Sequence, residues 1–254
     1  DLFRAVVRYT NDNFDARAVG DDTNYNTLRL ANATGAPPSP SNSSCPVLNV
    51  YPVEGKNAAS LRDAPIPGGG LHSGSNNTDN RILNAVEEVA GQNNHDVIEF
   101  SSTENVGNQL GAETVRLDLS AFPTINVAHT YDFWEGNDGF DYTMGAVTLD
   151  NFGNIFATFT RTSSNVMPQA VLEGFNPAGG VLFNQIIYGQ TNTTCGSGSN
   201  CRERWGDYLG ATQNGYAPNA YEVFVGSLYQ AAAVNPAEDG WGTVIAAATQ
   251  SAVE

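Results

Sequence analysis

A chain of 254 residues, 41% of them apolar, is long enough to bury a large hydrophobic core, so we expect one or two globular domains. The formal net charge is −16 and there is a single lysine, Lys56, which argues against binding to nucleic acid or to an anionic membrane surface, since both need a cationic face. No apolar stretch of about 20 residues is present, so no segment is expected to span a membrane.

Short apolar and β-branched runs separated by Gly, Pro, Asn and Asp predict β-strands throughout the chain. The predicted strands of the first half are residues 3–9, 27–31, 47–53, 97–101 and 115–119. The second half predicts hairpins of 143–149 with 155–160, 170–175 with 181–188 and 210–213 with 221–229, then a last strand at 243–248. Regularly spaced short strands with Gly/Pro turns are typical of an all-β fold.

Two segments rich in Pro, Gly, Ser and Asn, residues 36–44 and 68–79, lack periodic apolar residues and are predicted to be loops or linkers. The second is a candidate boundary. It divides the chain into an N-terminal region of strands and loops, residues 1–67, and a body, residues 68–254.

The most distinctive motif is Arg-Trp-Gly-Asp-Tyr, which is followed by a closing Trp-Gly-Thr after an intervening strand-like stretch. The residues of the two motifs are Arg204, Trp205, Gly206, Asp207, Tyr208, Trp241, Gly242 and Thr243. This pairing resembles secreted, sialidase-like β-propeller proteins of the BNR type, most of which have no assigned function. The resemblance covers residues from about 68 onward and implies a β-propeller, or part of one, with short antiparallel blades.

Weaker motifs extend this resemblance along the body of the chain. Asp-Asn-Arg-Ile-Leu-Asn-Ala-Val at residues 79–86 looks like the family's entry to a strand, so the resemblance implies a strand where residues 81–90 also fit a short helix. Gly-Ala-Val-Thr at 145–148 and Gly-Ala-Thr at 210–212 form a weak repeat that favours blades. At about 50 residues per blade the chain supplies about five, so the propeller is small or incomplete.

Two interpretations of the Arg-Trp-Gly-Asp-Tyr box stay open. In the structural one, Arg204 pairs with Asp207 or caps a neighbouring blade while the aromatic rings pack between blades. In the functional one, Arg204, Asp207 and Tyr208 lie at the mouth of the central channel and bind a carboxylated or sugar-like ligand.

A catalytic role requires more than the resemblance supplies. A sialidase needs an arginine cluster, a Tyr/Glu nucleophilic pair and an Asp acid, but the repeated Ser-x-Asp-x-Gly-x-x-Trp turns of sialidases are absent from this sequence. The arginines available for such a cluster are Arg81, Arg116, Arg161, Arg202 and Arg204. We interpret each as a surface or inter-blade ion pair, and no catalytic residue is assigned.

Calcium is the one cofactor that the sequence suggests, because carboxylate and amide oxygens crowd two segments. The first segment carries Asp132, Glu135, Asn137, Asp138 and Asp141. The second carries Asn11, Asp12, Asn13 and Asp15. Neither has the spacing of an EF-hand, and the competing interpretation is a pair of solvated acidic turns. The three histidines lie far apart in the sequence and predict no metal site.

The cysteines and glycosylation sequons favour an extracellular location. Cys195 and Cys201 enclose Gly-Ser-Gly-Ser-Asn, a flexible loop that lets the two thiols meet, and Cys45 is left over. Asn-x-Ser/Thr acceptors occur at Asn32, Asn42, Asn76 and Asn192.

Together these features predict a secreted binding or assembly module without catalysis, with a glycan or protein partner at the cell surface. The first alternative is a glycoside hydrolase or lyase that acts on an acidic or neutral glycan in the propeller channel. The second is a subunit of an extracellular polymer or multi-chain complex, which would account for the unpaired Cys45.

We predict a disulfide between Cys195 and Cys201. Closing this small ring stabilises the fold by roughly 2 kcal/mol in the chain-entropy model. Mass spectrometry of the unreduced protein will show the loss of two hydrogens in the peptide that contains both residues. Two free thiols would contradict both the bond and the extracellular assignment.

Overall fold

The computed structural model of the chain describes most of the body and parts of the N-terminal region. The described residues are 3–10, 13–21, 27–35, 47–55, 61–72, 82, 84–88, 97–119, 126–133, 138–178, 180–189, 201–205, 209–214, 222–230 and 241–249. Among these, only the backbone is described for residues 3–55, 72, 87, 88, 104, 126–133, 201–204, 230 and 241.

The described residues form eighteen β-strands and no helix, so the all-β prediction is confirmed. The strands are β1 (Phe3–Thr10), β2 (Asn13–Asp21), β3 (Thr27–Gly35), β4 (Val47–Gly55), β5 (Ala64–Ile66), β6 (Gly69–His72), β7 (Asn84–Glu88), β8 (Val97–Val106), β9 (Gln109–Asp118), β10 (Asn126–Phe133), β11 (Asp141–Leu149), β12 (Ile155–Ser163), β13 (Val166–Phe175), β14 (Val181–Tyr188), β15 (Cys201–Arg204), β16 (Gly210–Gln213), β17 (Glu222–Gln230) and β18 (Trp241–Thr249).

Four of the sheets are antiparallel meanders that follow one another in the chain. The first sheet is β1-β2-β3-β4, the second β7-β8-β9-β10, the third β11-β12-β13-β14 and the fourth β16-β17-β18. A small sheet has the order β15-β6-β5. None of these described sheets closes on itself.

The third sheet is the centre of the described structure because neighbouring sheets cover both of its faces. Every position of β11 is buried, and β12 and β13 are buried at all but one position each. On one face Val97 and Ala112 of the second sheet join the cluster around Val147 and Phe159. On the other face, residues of the third and fourth sheets share a separate apolar cluster. Complete burial of each large apolar side chain stabilises the fold by about 1.5–3 kcal/mol.

The hairpin of β11 and β12 shows how the sequence directs a turn. Asp150 Oδ1 accepts hydrogen bonds from the backbone N–H groups of Phe152 and Asn154, at 2.8 and 2.9 Å. Gly153 has a φ of 75°, which favours glycine. An Asp side chain that accepts from the backbone N–H groups of the residues after it stabilises a turn, and the predicted hairpin is confirmed.

A β-bulge in β11 joins the second and third sheets. The register with β12 shifts between Thr143 and Ala146, and Met144 has a φ of 57° although it is not glycine. The Met144 N–H donates to Thr103 Oγ1 on β8 at 3.0 Å. A Cβ on Gly145 would lie 2.9 Å from Ser101 Oγ, so the two sheets approach closely here. The bulge therefore interrupts the regular pairing of β11 with β12 and allows β11 to contact β8 of the second sheet.

The small sheet corrects the loop prediction for residues 69–72, while residues 73–79 of the same predicted loop lie outside the described part of the chain. Gly69–His72 is a strand, and Leu71 is fully buried against the third sheet. The proposed boundary between residues 67 and 68 falls at the turn of the β5-β6 hairpin, where Ala64 pairs with Leu71. Gly68 lies in the turn and has a φ of 82°, which favours glycine. The glycine content that this turn needs led to the prediction of a linker where the chain forms a strand.

Other predicted strands are confirmed, and several strands were not predicted. The three hairpins and the last strand lie where the sequence places them, and β7 lies within the segment that the family resemblance assigns to a strand. The strands β2 and β10 were missed because they are rich in polar residues, such as Asp15 and Asp132, that the composition assigns to acidic loops.

We expect Trp205→Ala to lower the free energy of unfolding by about 3–5 kcal/mol, the range for emptying a large aromatic site in a core. Trp205 is 4% exposed, and its Nε1 donates to Thr160 Oγ1 at 3.1 Å. Trp205→Phe retains most of the packing and should cost about 1–2 kcal/mol for the lost hydrogen bond and volume. Urea unfolding followed by circular dichroism gives these values.

The control for this series is Val181→Ala at a site that is 61% exposed, where we expect a change within about 0.5 kcal/mol. A Trp205→Ala midpoint no lower than that of the control would contradict the structural role.

Candidate functional site

A cavity of about 600 Å³ opens at one end of the second and third sheets. Its described lining includes the turn between β8 and β9, the residues that lead into β11, the turn between β12 and β13, and the segment before β5. The polar residues of this lining are Arg62, Asn108, Gln109, Asp141 and Ser164, and Pro65 and Val106 contribute apolar surface. We call it the Arg62 cavity.

The turns place the polar groups of the cavity by local rules. Val106 pairs with Gln109, so Gly107 and Asn108 form a two-residue hairpin turn, and Gly107 has the positive φ that such turns need. Gln109 Nε2 donates to the carbonyl of Phe140 at 2.6 Å, which ties this turn to the start of β11.

An ion pair between Arg62 and Asp141 dominates the electrostatics of the cavity. Arg62 Nη2 lies 2.6 Å from Asp141 Oδ1 and 2.8 Å from Oδ2, and the Leu110 N–H also donates to Oδ1 at 2.6 Å. The Asp141 side chain is 3% exposed, whereas that of Arg62 is 44% exposed. The carboxylate is thus buried and paired, whereas the Arg62 side chain stays partly open to solvent.

Arg62 is further fixed by backbone carbonyls. Its Nη1 donates to the carbonyl of Asp63 at 3.1 Å and its Nη2 to that of Asn108 at 3.0 Å. Nearby, Thr162 Oγ1 donates to the carbonyl of Pro65 at 2.6 Å and holds the β5 segment against β12. The exposed guanidinium is therefore preorganised, so a ligand that binds it would not have to order a free side chain.

The structure brings two of the predicted calcium ligands into other interactions. Asp138 accepts hydrogen bonds from the Phe140 N–H at 2.8 Å and from the Tyr142 hydroxyl, and Asp141 faces Arg62. A guanidinium 2.6 Å from a carboxylate disfavours a cation there. Asp132 lies in β10, and Glu135 and Asn137 lie outside the described residues.

The second acidic segment is not a simple loop either. Its Asn13 and Asp15 lie in β2, which pairs with β1 and β3, while Asn11 and Asp12 lie outside the described residues. Among the side chains that the structure describes, no three of His, Cys, Asp or Glu lie together as a metal site requires.

The described arginines do not converge as a sialidase site requires. Arg116 is buried, with its Nε 2.8 Å from Glu99 Oε2 and its Nη2 donating to the carbonyl of Gly153 at 3.0 Å. Arg161 lies 4.2 Å from the ring centroid of Phe140. For Arg202 and Arg204 only the backbone of β15 is described, and Arg81 lies outside the described residues.

The distinctive motifs are described only in part. Trp205 packs in the core between the small sheet and the third sheet, a position that suits the structural interpretation of the box. Trp241, Gly242 and Thr243 begin β18. The residues outside the described part are Gly206, Asp207, Tyr208, Cys45, Cys195, Asn42, Asn76 and Asn192. Cys201 and Asn32 are described by their backbone alone, in β15 and β3.

The sequence did not point to Arg62. It lies in the region before residue 68 that matched no motif, and its partner Asp141 was assigned to an acidic loop. Asp141 begins β11, and its carboxylate accepts from the Leu110 N–H, a contact between strands that no spacing in the sequence predicts.

Searches with models of known protein families and against curated proteins find no match to this chain. The described part of the chain contains no helix that is long and apolar enough to cross a membrane.

We expect Arg116→Met to lower the free energy of unfolding by about 3–5 kcal/mol, because it removes the arginine that pairs with the buried Glu99 carboxylate. Replacing both partners, Glu99→Leu with Arg116→Met, should recover much of this loss, since an apolar pair carries no buried charge. Chemical unfolding of the two variants tests this. Equal stability of the single variant and the wild type would contradict a structural role for the pair.

Proposed function

We propose that this protein is an extracellular binding or assembly module without catalytic chemistry of its own, and that it binds its ligand at the Arg62 cavity. The observation that supports this most directly is the state of Asp141. It is the single carboxylate among the described residues that line the cavity, and Arg62 and Leu110 already occupy its oxygens.

The rival hydrolase needs two carboxyl groups that flank the bond to be cleaved, one as acid and one as base or nucleophile. The described lining of the Arg62 cavity offers only Asp141, which is buried and paired. What the cavity does offer is a fixed guanidinium edge together with the side chains of Asn108 and Ser164. Such groups suit the recognition of carbonyl, hydroxyl or carboxylate oxygens.

The proposal includes a sialidase-like propeller fold, or part of one. Support comes from the chain order of the meanders and from the packing of the second and fourth sheets on opposite faces of the third. Propeller blades are antiparallel sheets of four strands, as the second and third sheets are, and the described part of the fourth sheet supplies three strands. A cavity at the end of such sheets, formed by their turns, is where loop residues are free to contact a ligand.

We expect Ser164→Trp to abolish ligand binding while leaving the Arg62–Asp141 pair intact, because Ser164 is an exposed turn residue and a large ring there fills the cavity. Labelled wild-type protein is first screened on an array of neutral and acidic glycans, and glycans that bind are then titrated calorimetrically. Arg62→Lys, which keeps the charge but not the planar fork, should weaken binding about tenfold or more, the worth of a charged hydrogen bond.

The matched control is Asn165→Ala, which changes the neighbouring residue of the same turn and should bind as the wild type does. Release of reducing sugar from a bound glycan would favour the hydrolase instead. Binding that survives Ser164→Trp would place the ligand elsewhere.

A further inference from the structure

Two tyrosines form an exposed aromatic pair between the third and fourth sheets. The ring centroids of Tyr188 and Tyr229 are 3.9 Å apart with an interplanar angle of 42°, and Tyr188 is 42% exposed. Most large aromatic side chains pack away from water because their burial is favourable. This tilted pair leaves one ring 42% exposed, so it offers a candidate contact surface at the edge of the core.

The backbone around the pair fixes the two rings. Tyr188 is the last residue of β14 and pairs with Ala170, while Tyr229 on β17 pairs with Gly242 on β18. A Cβ on Gly242 would lie 2.6 Å from Cζ of Tyr229, so only a glycine lets this ring lie across β18. The glycine of the closing Trp-Gly-Thr motif, Gly242, therefore makes room for the Tyr229 ring.

The polar side chain next to this position in the strand faces the other side of the sheet. Ala170 pairs with Tyr188, so Gln169, the residue before Ala170 on β13, points to the opposite face, where it is 5% exposed. There Gln169 Oε1 accepts from Nε and Nη2 of Arg161, at 3.2 and 2.8 Å. The rings themselves are therefore the contact that this edge offers to a ligand.

The apolar contact between the two sheets does not need these rings. Phe156 and Leu172 of the third sheet already pack against Val223 and Val225 of the fourth, and all four are buried. The tyrosines lie outside this cluster. Their exposure is therefore not a by-product of core packing.

We propose that Tyr188 and Tyr229 bind the apolar face of an uncharged sugar ring in a neutral polysaccharide. A phenol ring offers a flat apolar face with a polar edge, which matches a pyranose ring with its equatorial hydroxyls. The pair has no cationic side chain in the described contacts, and the net charge of −16 repels polyanions at long range. A neutral chain is therefore favoured over an acidic one.

The pair lies at the same end of the third sheet as the Arg62 cavity. The β12-β13 turn that carries Ser164 borders the cavity, and β14 runs back toward this end to reach Tyr188. One row of paired residues lies between the cavity and the tyrosine pair. It consists of Tyr142 on β11, Arg161 on β12 and Gln169 on β13. A single polysaccharide chain could contact both the Arg62 cavity and the tyrosine pair, and in that respect the inference rests on the proposed function.

The test is affinity electrophoresis of the full chain in native gels that contain xyloglucan, galactomannan or, as the acidic comparison, polygalacturonate. We expect retardation of the wild type by a neutral polysaccharide, and about tenfold weaker binding by Tyr188→Ala, as for truncation of an aromatic contact residue. Tyr188→Phe should retain binding because it keeps the ring. Val181→Ala, an exposed change at the other end of β14, is the matched control.

Thermal melting of each variant separates loss of binding from loss of folding, and Tyr188→Phe keeps the test valid if Tyr188→Ala melts early. No retardation of the wild type by either neutral polysaccharide, retardation by polygalacturonate alone, or equal binding by Tyr188→Ala and Val181→Ala would each overturn the inference. Binding that Ser164→Trp abolishes and Tyr188→Ala leaves unchanged supports the cavity and overturns the aromatic site. If Tyr188→Ala weakens binding and Ser164→Trp does not, the result supports the aromatic site and overturns binding at the Arg62 cavity.

Discussion

The burial of both faces of the third sheet is the constraint on which the rest of the structure depends. A strand covered on both sides cannot alternate apolar and polar residues, so its polar positions must be bonded inside the protein. Threonine meets this need at three positions of β12, where its methyl group packs while its hydroxyl bonds. Thr158 donates to the Val171 carbonyl, Thr160 accepts from Trp205, and Thr162 donates to the Pro65 carbonyl. The first bond joins β12 to β13 within the sheet, and the other two attach the segments of Trp205 and Pro65 to it.

The same constraint locates the candidate sites. Because the faces of the central sheet are occupied, ligands can reach it only at the ends of its strands or along its outer edge. The Arg62 cavity lies at an end, where a buried carboxylate holds a half-exposed guanidinium in place. The tyrosine pair lies at the β14 edge, where the third sheet meets the fourth. One site offers charge and the other a flat ring, so they suit different parts of a ligand.

The sequence indicates the strands better than it indicates the sites. Runs such as residues 143–149 are apolar and bounded by strong turn residues, so local chemistry alone identifies them. Strand β2 was not predicted, because its pairing in a sheet overrides the polarity of residues such as Asp15. The Arg62–Asp141 pair joins residues far apart in the chain, and no spacing rule connects them. Likewise, Tyr188 and Tyr229 meet only because two separate sheets pack together.

The pairing of β6 with β15 has a consequence for how the chain folds. These strands are parallel, and Gly69 lies opposite Cys201, 132 positions later in the chain. Closing a loop of that length is entropically costly, so this pairing should form after the local meanders. During synthesis β6 emerges long before β15, and it keeps an unpaired edge until the third sheet is complete. Such an edge is open to wrong partners, which makes this step the one most exposed to misassembly.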